Sequence, residues 1–237
     1  MNCLLLEPGE WDPATGRARL AGRRCQHARE ILRAQVGDRL RVGLVGGRMG
    51  QGRIVALDEA LLELELAFDA EPPPKRPVEL VLALPRMPVF RRLLSTAASL
   101  GVERILVVAT ARTEKSFWQS HDVAPDAIRE RLLLGLEQAR DTILPEVSLH
   151  RHFGSLVGEI LPPRLAGRRA IVAHPAAASP CPHRVSGPIT LFVGPEGGLL
   201  EDEIERLAAI GFEPVHLGAR ILRVEPVIPL LFGRLLD

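Results

Sequence analysis

The segment Glu71 to Pro77, EPPPKRP, divides the chain more sharply than any other feature. Three consecutive prolines offer no N–H donors and hold φ fixed, so no helix interior or inner strand runs through them. Such a stretch reads as a stiff, extended linker. On that basis residues 1–70 form one domain, residues 71–77 a linker and residues 78–237 a second domain.

The two sides carry different periodicities. Before the linker, Leu62, Leu64 and Leu66 alternate with Glu63 and Glu65, the pattern of a half-buried strand. Similar runs at Leu40–Val45 and Gly52–Leu57, separated by glycines and polar residues, predict a small β-rich barrel. A helix is expected over Arg24–Ala34, with His27, Ile31 and Leu32 as its apolar stripe. After the linker, apolar runs at Val78–Leu84, Ile105–Val108, Ala170–Ala173 and Ile189–Val193 alternate with helical spacing at Pro88–Ala97 and Ala124–Ala139. Strands alternating with helices predict an α/β fold with a mostly parallel sheet.

The charge of +1 conceals an uneven distribution. Between Arg17 and Arg53 ten arginines face two acids, Glu30 and Asp38, an excess of eight. A patch of that kind attracts a phosphate backbone; a merely solvated basic surface is the alternative. Arg23, Arg24, Arg29 and Arg33 are the candidate RNA contacts, acting on phosphates rather than on bases. Cys3, Cys25 and Cys181 are scattered and form no CxxC pair, which fits a reducing, cytoplasmic compartment. His150 and His152 have the spacing to share one strand face, but no third ligand accompanies them, so no metal is expected. No apolar run approaches the ~20 residues that span a bilayer, and the N-terminus lacks a secretory pattern.

The most legible chemistry lies near the C-terminus. Strand Ile189–Val193 leads into Gly194-Pro-Glu-Gly-Gly198, and a helix follows with Glu201, Asp202 and Glu203 in its first turn, where acids suit the dipole. Ile204, Leu207 and Ala208 form its inward face, and Gly211 ends it. Glycines at the carboxyl end of a strand let a ligand lie against bare backbone. GPEGG is neither GxGxxG nor a P-loop, and alone it can equally be a tight turn. A second glycine loop, Leu217 to Arg223, follows one strand later and should lie beside the first. A last helix is expected from Pro226 to Leu236.

LFVGPEGGLLEDEIERLAAIGFEPVHLGARILRVE resembles the C-terminal signature of the RsmE family, methyltransferases of N3 of a uridine in small-subunit ribosomal RNA. RCQHAREILRAQVGD, SLGVERILVV, EQAR with Pro145, and AHP at Ala173–Pro175 are similar to further blocks of that family, in the same order. The resemblance implies a SPOUT-type, trefoil-knotted methyltransferase domain preceded by a PUA-like barrel. It also implies S-adenosylmethionine as cofactor, a homodimer, and ribosomal RNA or the assembled small subunit as partner. Carried onto this chain, it makes His174, Gly194, Glu196, Gly197, Leu217, Gly218, Ile221 and Leu222 the cofactor candidates. Arg223 is the candidate for stabilising charge on the base, with Gln138 positioning it. Arg223 pairing with Glu225 or nearby backbone, Gln138 capping or bridging helices, and Glu196 fixing its own turn are the structural alternatives.

The chain departs from the family pattern at Thr96 and Ser99, where lysine and glutamate are usual, and at Asp141, where arginine is usual. Val224 and Pro226 replace two threonines. These changes leave open another knotted RNA methyltransferase, for instance a ribose 2′-O one, or a non-catalytic RNA-binding paralogue.

Overall fold

A computed structural model describes residues 2–236. They divide into two compact units: the chain up to Pro74 together with Leu133–Leu144, and Lys75–Leu132 with Pro145 onward.

The first unit is a six-stranded mixed sheet, in the order β1-β4-β5-β6-β3-β2. Its strands are β1 (Leu4–Leu6), β2 (Trp11–Asp12), β3 (Arg17–Ala21), β4 (Arg39–Leu44), β5 (Met49–Leu57) and β6 (Leu61–Ala70). β1 and β4 pair in parallel, and the other neighbours are antiparallel. Leu62 and Leu64 face the core with Leu4, Leu6, Leu20, Val42 and Ile54, as the period-two pattern requires. Gly50 marks the point where β5 passes closest to β6, since a Cβ there would lie 1.9 Å from the Ala67 carbonyl oxygen. The returning segment Leu133–Leu144 is fastened by backbone: Asn2 N–H donates to Glu137 O, and Gly46 N–H donates to Thr142 O.

The helix of this unit begins at Arg23, with α1 (Arg23–Gln26) continuing into a π turn at His27–Ile31. Its buried face is not the expected stripe. Cys25 and Ala28 enter the core, while Ile31 and Leu32 are exposed. The π turn adds a residue to the helical period, so positions read at 3.6 spacing rotate outward.

The second unit is a seven-stranded, wholly parallel sheet in the order β11-β13-β10-β12-β7-β8-β9. Its strands are β7 (Arg76–Ala83), β8 (Val102–Val108), β9 (Glu146–His150), β10 (Arg169–Ala173), β11 (Ser179–Pro180), β12 (Ile189–Val193) and β13 (Glu213–His216). β7 and β12 are buried on both faces, which is why they read as continuous apolar runs. Glu79 is the exception within β7. Its buried carboxylate accepts from Arg164 (Nη2, 2.7 Å) and Arg104 (Nη1, 3.3 Å).

α2 (Met87–Ser99) has Pro88 in its first turn, where a missing N–H is harmless. It buries Val89, Phe90, Leu93 and Leu94, and Gly101 follows its end at φ +76°. α3 (Pro125–Ala139) runs from this unit into the returning segment of the first. α4 (Phe153–Ser155), a π turn at Leu156–Ile160 and α5 (Leu161–Arg164) together form one irregular helical stretch. α6 (Glu201–Ala209) buries Leu207 and Glu203, whereas Ala208, expected on the inward face, is exposed. α7 (Val224–Leu235) packs on α2 and closes the chain. Phe192 of β12 lies edge-on between Phe153 and Phe212, at 6.2 and 6.1 Å.

His150 ends β9, while His152 precedes α4; the two do not share a strand. Among the described residues no group of histidines, cysteines or acids has metal-binding geometry. No helix among them is long and apolar enough to cross a membrane.

Candidate functional site

The strand order fixes where a site can form. From β7 the chain builds outward through β8 and β9, then returns to the other side of β7 with β12 and β10. Ligands in open parallel sheets bind beyond the carboxyl ends of the strands, at such a reversal. A cavity of about 920 Å³ opens there. The segments following β7, β8, β10, β12 and β13 all contribute to its wall.

All eight residues expected at the cofactor line this cavity: His174, Gly194, Glu196, Gly197, Leu217, Gly218, Ile221 and Leu222. The first loop is a tight turn in which Gly198, at φ +74°, donates its N–H to Pro195 O at 2.8 Å. Gly194 and Gly197 sit where a side chain would be tight. A Cβ at Gly194 would lie 3.1 Å from Leu199 Cγ, and one at Gly197 would lie 3.2 Å from Arg112. In the second loop Gly218 takes φ +119°, and its N–H donates to His216 Nδ1 at 3.1 Å. Ile221 is 84% exposed and Leu222 is partly so. Apolar side chains left in water at a cavity rim are what a bound molecule would cover.

Glu196 reaches beyond its own turn. Its carboxylate accepts from the Arg86 backbone N–H (3.3 Å) and lies 3.5 Å from Arg86 Nε, joining the GPEGG loop to the loop after β7. On the other side, Arg112 Nη1 donates to Gly197 O at 2.5 Å, joining it to the loop after β8. That second loop is itself held by a buried carboxylate. Glu203 accepts from Ala111 N–H at 2.8 Å and from Leu200 N–H at 2.9 Å.

Arg223 also lines the cavity and stands as the N-cap residue of α7. It does not pair with Glu225, because Glu225 binds Arg92 at 2.7 Å. That hydrogen bond from Arg92 holds the Glu225 carboxyl below the usual carboxylate range. Among the described residues the Arg223 guanidinium makes no ion pair or hydrogen bond, so its charge is available to the cavity. Gln138 is not in the cavity wall; it belongs to the first unit, where its carbonyl accepts from the Asn2 side chain at 3.0 Å.

Several lining residues escaped sequence reasoning: Arg86, Arg112, Glu114, Phe117 and Arg220. The signal was present in their position, since each follows a parallel strand or lies in a strand-end loop. Of the unusual positions, Asp141 is buried and accepts from Ile143 N–H at 2.9 Å, a turn-closing role. Ser99 Oγ donates to Ser95 O at 2.6 Å. Val224 is buried at the start of α7, and Pro226 is exposed in its first turn.

The basic stretch of the first unit is less free than its sequence implied. Arg17 and Arg19 meet Glu63, Arg53 meets Glu65, and Arg48 meets Glu71. Arg23 binds Glu137 at 2.9 Å, and Arg24 forms a two-pronged pair with Glu10 while also donating to Leu5 O. Arg29 pairs with its neighbour Glu30. The side chains of Arg33, Arg39 and Arg41 make no ion pair or hydrogen bond among the described residues. Arg33 adopts φ +51°.

Comparison with known proteins decides the family. Residues 71–231 match the model of the RNA methyltransferase domain. The chain belongs to that family. Similar curated proteins include the ribosomal RNA small subunit methyltransferase E of Treponema pallidum, 27% identical over 95% of this chain and 86% of that one. A second, ribosomal RNA small subunit methyltransferase E 1 of Borreliella burgdorferi, is 23% identical over 95% and 93%. Among solved structures, the ribosomal RNA small subunit methyltransferase E of Neisseria gonorrhoeae, bound to S-adenosyl methionine, superposes with a TM-score of 0.74. It is 21% identical and covers 97% of this chain and 95% of its own. A predicted RNA methyltransferase of Thermotoga maritima gives 0.67 at 22% identity, over 97% and 95%. These likenesses give this RNA methyltransferase domain, with the unit before it, the same α/β architecture across nearly the whole chain.

Proposed function

We propose that this protein methylates N3 of a uridine in small-subunit ribosomal RNA, using S-adenosylmethionine held in the cavity between the GPEGG and Leu217–Arg223 loops. The observation that carries the reading is the meeting of all eight expected cofactor residues around one cavity at the strand-order reversal. The curated relatives named as ribosomal RNA methyltransferases support the substrate class.

The cavity suits such a cofactor. Gly194 and Gly197 line it without side chains, and a Cβ at either would press on Leu199 or Arg112, so bare backbone is what a cofactor would meet there. Leu217, Ile221 and Leu222 offer apolar walls. When bound, S-adenosylmethionine supplies an electrophilic methyl on a sulfonium. The protein's task is then to hold uridine N3 in line and to favour loss of its proton. Arg223, with no competing carboxylate partner, places positive charge where the uracil oxygens gain negative charge, and so lowers the barrier electrostatically. Arg86 and Arg112 keep the glycine loop in shape from either side.

In this reading the first unit is a PUA-like barrel that holds RNA and the second a SPOUT domain; the linker expected over residues 71–77 ends earlier, because Arg76 and Pro77 already belong to β7. Arg33, with Arg39 and Arg41, contacts phosphates, while Arg23 and Arg24 serve mainly to hold their own unit together and Arg29 pairs with its neighbour Glu30. The C-terminal trefoil knot, the homodimer and a cytoplasmic location belong to the same reading. Nucleoside mass spectrometry of ribosomal RNA from cells with and without the protein is the test. Loss of 3-methyluridine supports the proposal. Loss of a ribose-methylated nucleoside, or no change alongside intact cofactor binding, overturns it.

A further inference from the structure

The cavity is lined in part by the loop after β8, a wall with its own chemistry. At about 920 Å³ it lies at the upper end of the ~300–1,000 Å³ typical for a single small ligand. The glycine loops account for part of the wall. The loop after β8 adds Phe117, the only phenylalanine, tryptophan or tyrosine among the lining residues.

Aromatic side chains are scarce in this chain, seven phenylalanines and two tryptophans with no tyrosine. Most serve the core: Phe90, Phe153, Phe192, Phe212, Phe232 and Trp118 are buried. Phe117 is half-exposed beside buried Trp118, on the short 3-10 turn Lys115–Gln119. The turn is anchored rather than loose. Trp118 packs inward with the Arg151 guanidinium 5.6 Å from its ring centre, and Thr113 Oγ1 accepts from Thr110 N–H at 3.1 Å. Phe117 is thus held against the cavity by its neighbour. Arg86, Arg112, Arg220 and Arg223 line the same cavity, so cationic groups accompany the ring.

An anchored aromatic face in an arginine-lined cavity is the chemistry that receives an unstacked nucleobase while its phosphates are held outside. A base must leave its stack before an enzyme can reach a ring nitrogen. We infer that Phe117 is the platform on which the target nucleobase stacks within this cavity. The inference rests on the methyltransferase reading for the identity of that base as uracil. Phe117 contacts substrate and takes no proton.

The test uses the full-length protein with small-subunit ribosomal RNA. For Phe117→Ala, Phe117→Leu and Phe117→Trp, kcat/KM for RNA is measured beside the calorimetric Kd for S-adenosylmethionine. Stacking on one base is worth about five- to hundredfold in affinity. Phe117→Ala and Phe117→Leu should lose that much in kcat/KM, Phe117→Trp should retain it, and cofactor Kd should change less than about twofold. Leucine keeps apolar bulk without a π face, so an unimpaired Phe117→Leu overturns the stacking role. A parallel fall in cofactor affinity overturns it too, by assigning Phe117 to the cofactor. The Phe117→Trp protein gives a readout independent of turnover: fluorescence beyond that of wild type should be quenched by a uridine oligoribonucleotide. Absence of that quenching overturns the inference even if methylation is normal. Quenching with no methylation in the wild type supports it and overturns the methyltransferase reading instead.

Discussion

Removing the carboxylate of Glu203 should loosen the site and destabilise the unit that contains it. Glu203 is 3% exposed and accepts two backbone N–H groups, from Ala111 at 2.8 Å and Leu200 at 2.9 Å. A hydrogen bond to a charged group contributes about 1.5–3 kcal/mol. Glu203→Ala forfeits both bonds, so a loss of about 3–5 kcal/mol is expected. For a chain of this size each kcal/mol shifts Tm by about 2–4 °C, which gives a drop of roughly 6–20 °C. Glu203→Gln keeps one acceptor oxygen but turns an amide NH2 toward the second donor, so it should recover less than half. The consequence for the site runs through one residue. Ala111 precedes Arg112, whose guanidinium holds the Gly197 carbonyl, so cofactor affinity should fall along with Tm. Scanning calorimetry measures the first effect and titration calorimetry the second. A Glu203→Ala protein melting within about 2 °C of wild type would refute the reasoning.

Gly197→Trp should abolish binding of S-adenosylmethionine, because even a Cβ there would press on Arg112 at 3.2 Å; unchanged calorimetric affinity removes this loop from the site. Burial raises the pKa of Cys3 to about 12, with Glu137 adding to the effect, and burial also raises Cys25 and Cys181. A thiol-specific reagent at pH 8 should therefore label none of them in the native protein and all of them after unfolding; rapid native labelling would contradict this. Burial pushes the Glu10 carboxyl up, but the hydrogen bonds from Arg24, with help from the Glu7 backbone, outweigh it and leave the pKa lowered. The folded state then binds fewer protons than the unfolded one, so this stabilisation is complete above about pH 5 and is lost as pH falls further. Urea titrations from pH 7 to 3 should show that slope, and Glu10→Gln should reduce it. Reversing Arg33, Arg39 and Arg41 to glutamate should weaken RNA binding and lower the slope of log K against log salt by about 0.7–0.9 for each phosphate no longer neutralised; an unchanged slope would exclude them.

The parallel sheet was legible because its strands are buried on both faces, so β7 and β12 read as unbroken apolar runs. The glycine loops were legible for the opposite reason: Gly198 and Gly218 adopt positive φ, and few other residues tolerate it. Strands β1 and β3 gave little signal. β1 is three residues long, and β3 alternates arginine with alanine and leucine, so its buried face is carried by Ala18 and Leu20 alone. β9 has no fully buried residue. The α4–α5 stretch carries a π turn and Pro162 in α5, which erase a clean helical period.

The arginines show where sequence-local reasoning must fail. An excess of eight positive charges between Arg17 and Arg53 is a statement about chain neighbours, whereas a phosphate responds to neighbours in space. The sheet brings Glu63 and Glu65 of β6 across from Arg17, Arg19 and Arg53, since β6 pairs with both β3 and β5. Register alone therefore neutralises much of the patch, because residues on one face of paired strands stand side by side. Glu137 arrives on the returning segment and takes Arg23. Arg24 illustrates the same logic most fully: half-buried, with its guanidinium bound to both oxygens of Glu10 and to Leu5 O, it is spent on holding its own unit. What remains for a nucleic acid are the arginines that the register leaves alone, Arg33, Arg39 and Arg41, and those around the cavity. On the proposed reading, the arginines left without an acidic partner, and not the total in the N-terminal stretch, decide where a phosphate backbone would settle.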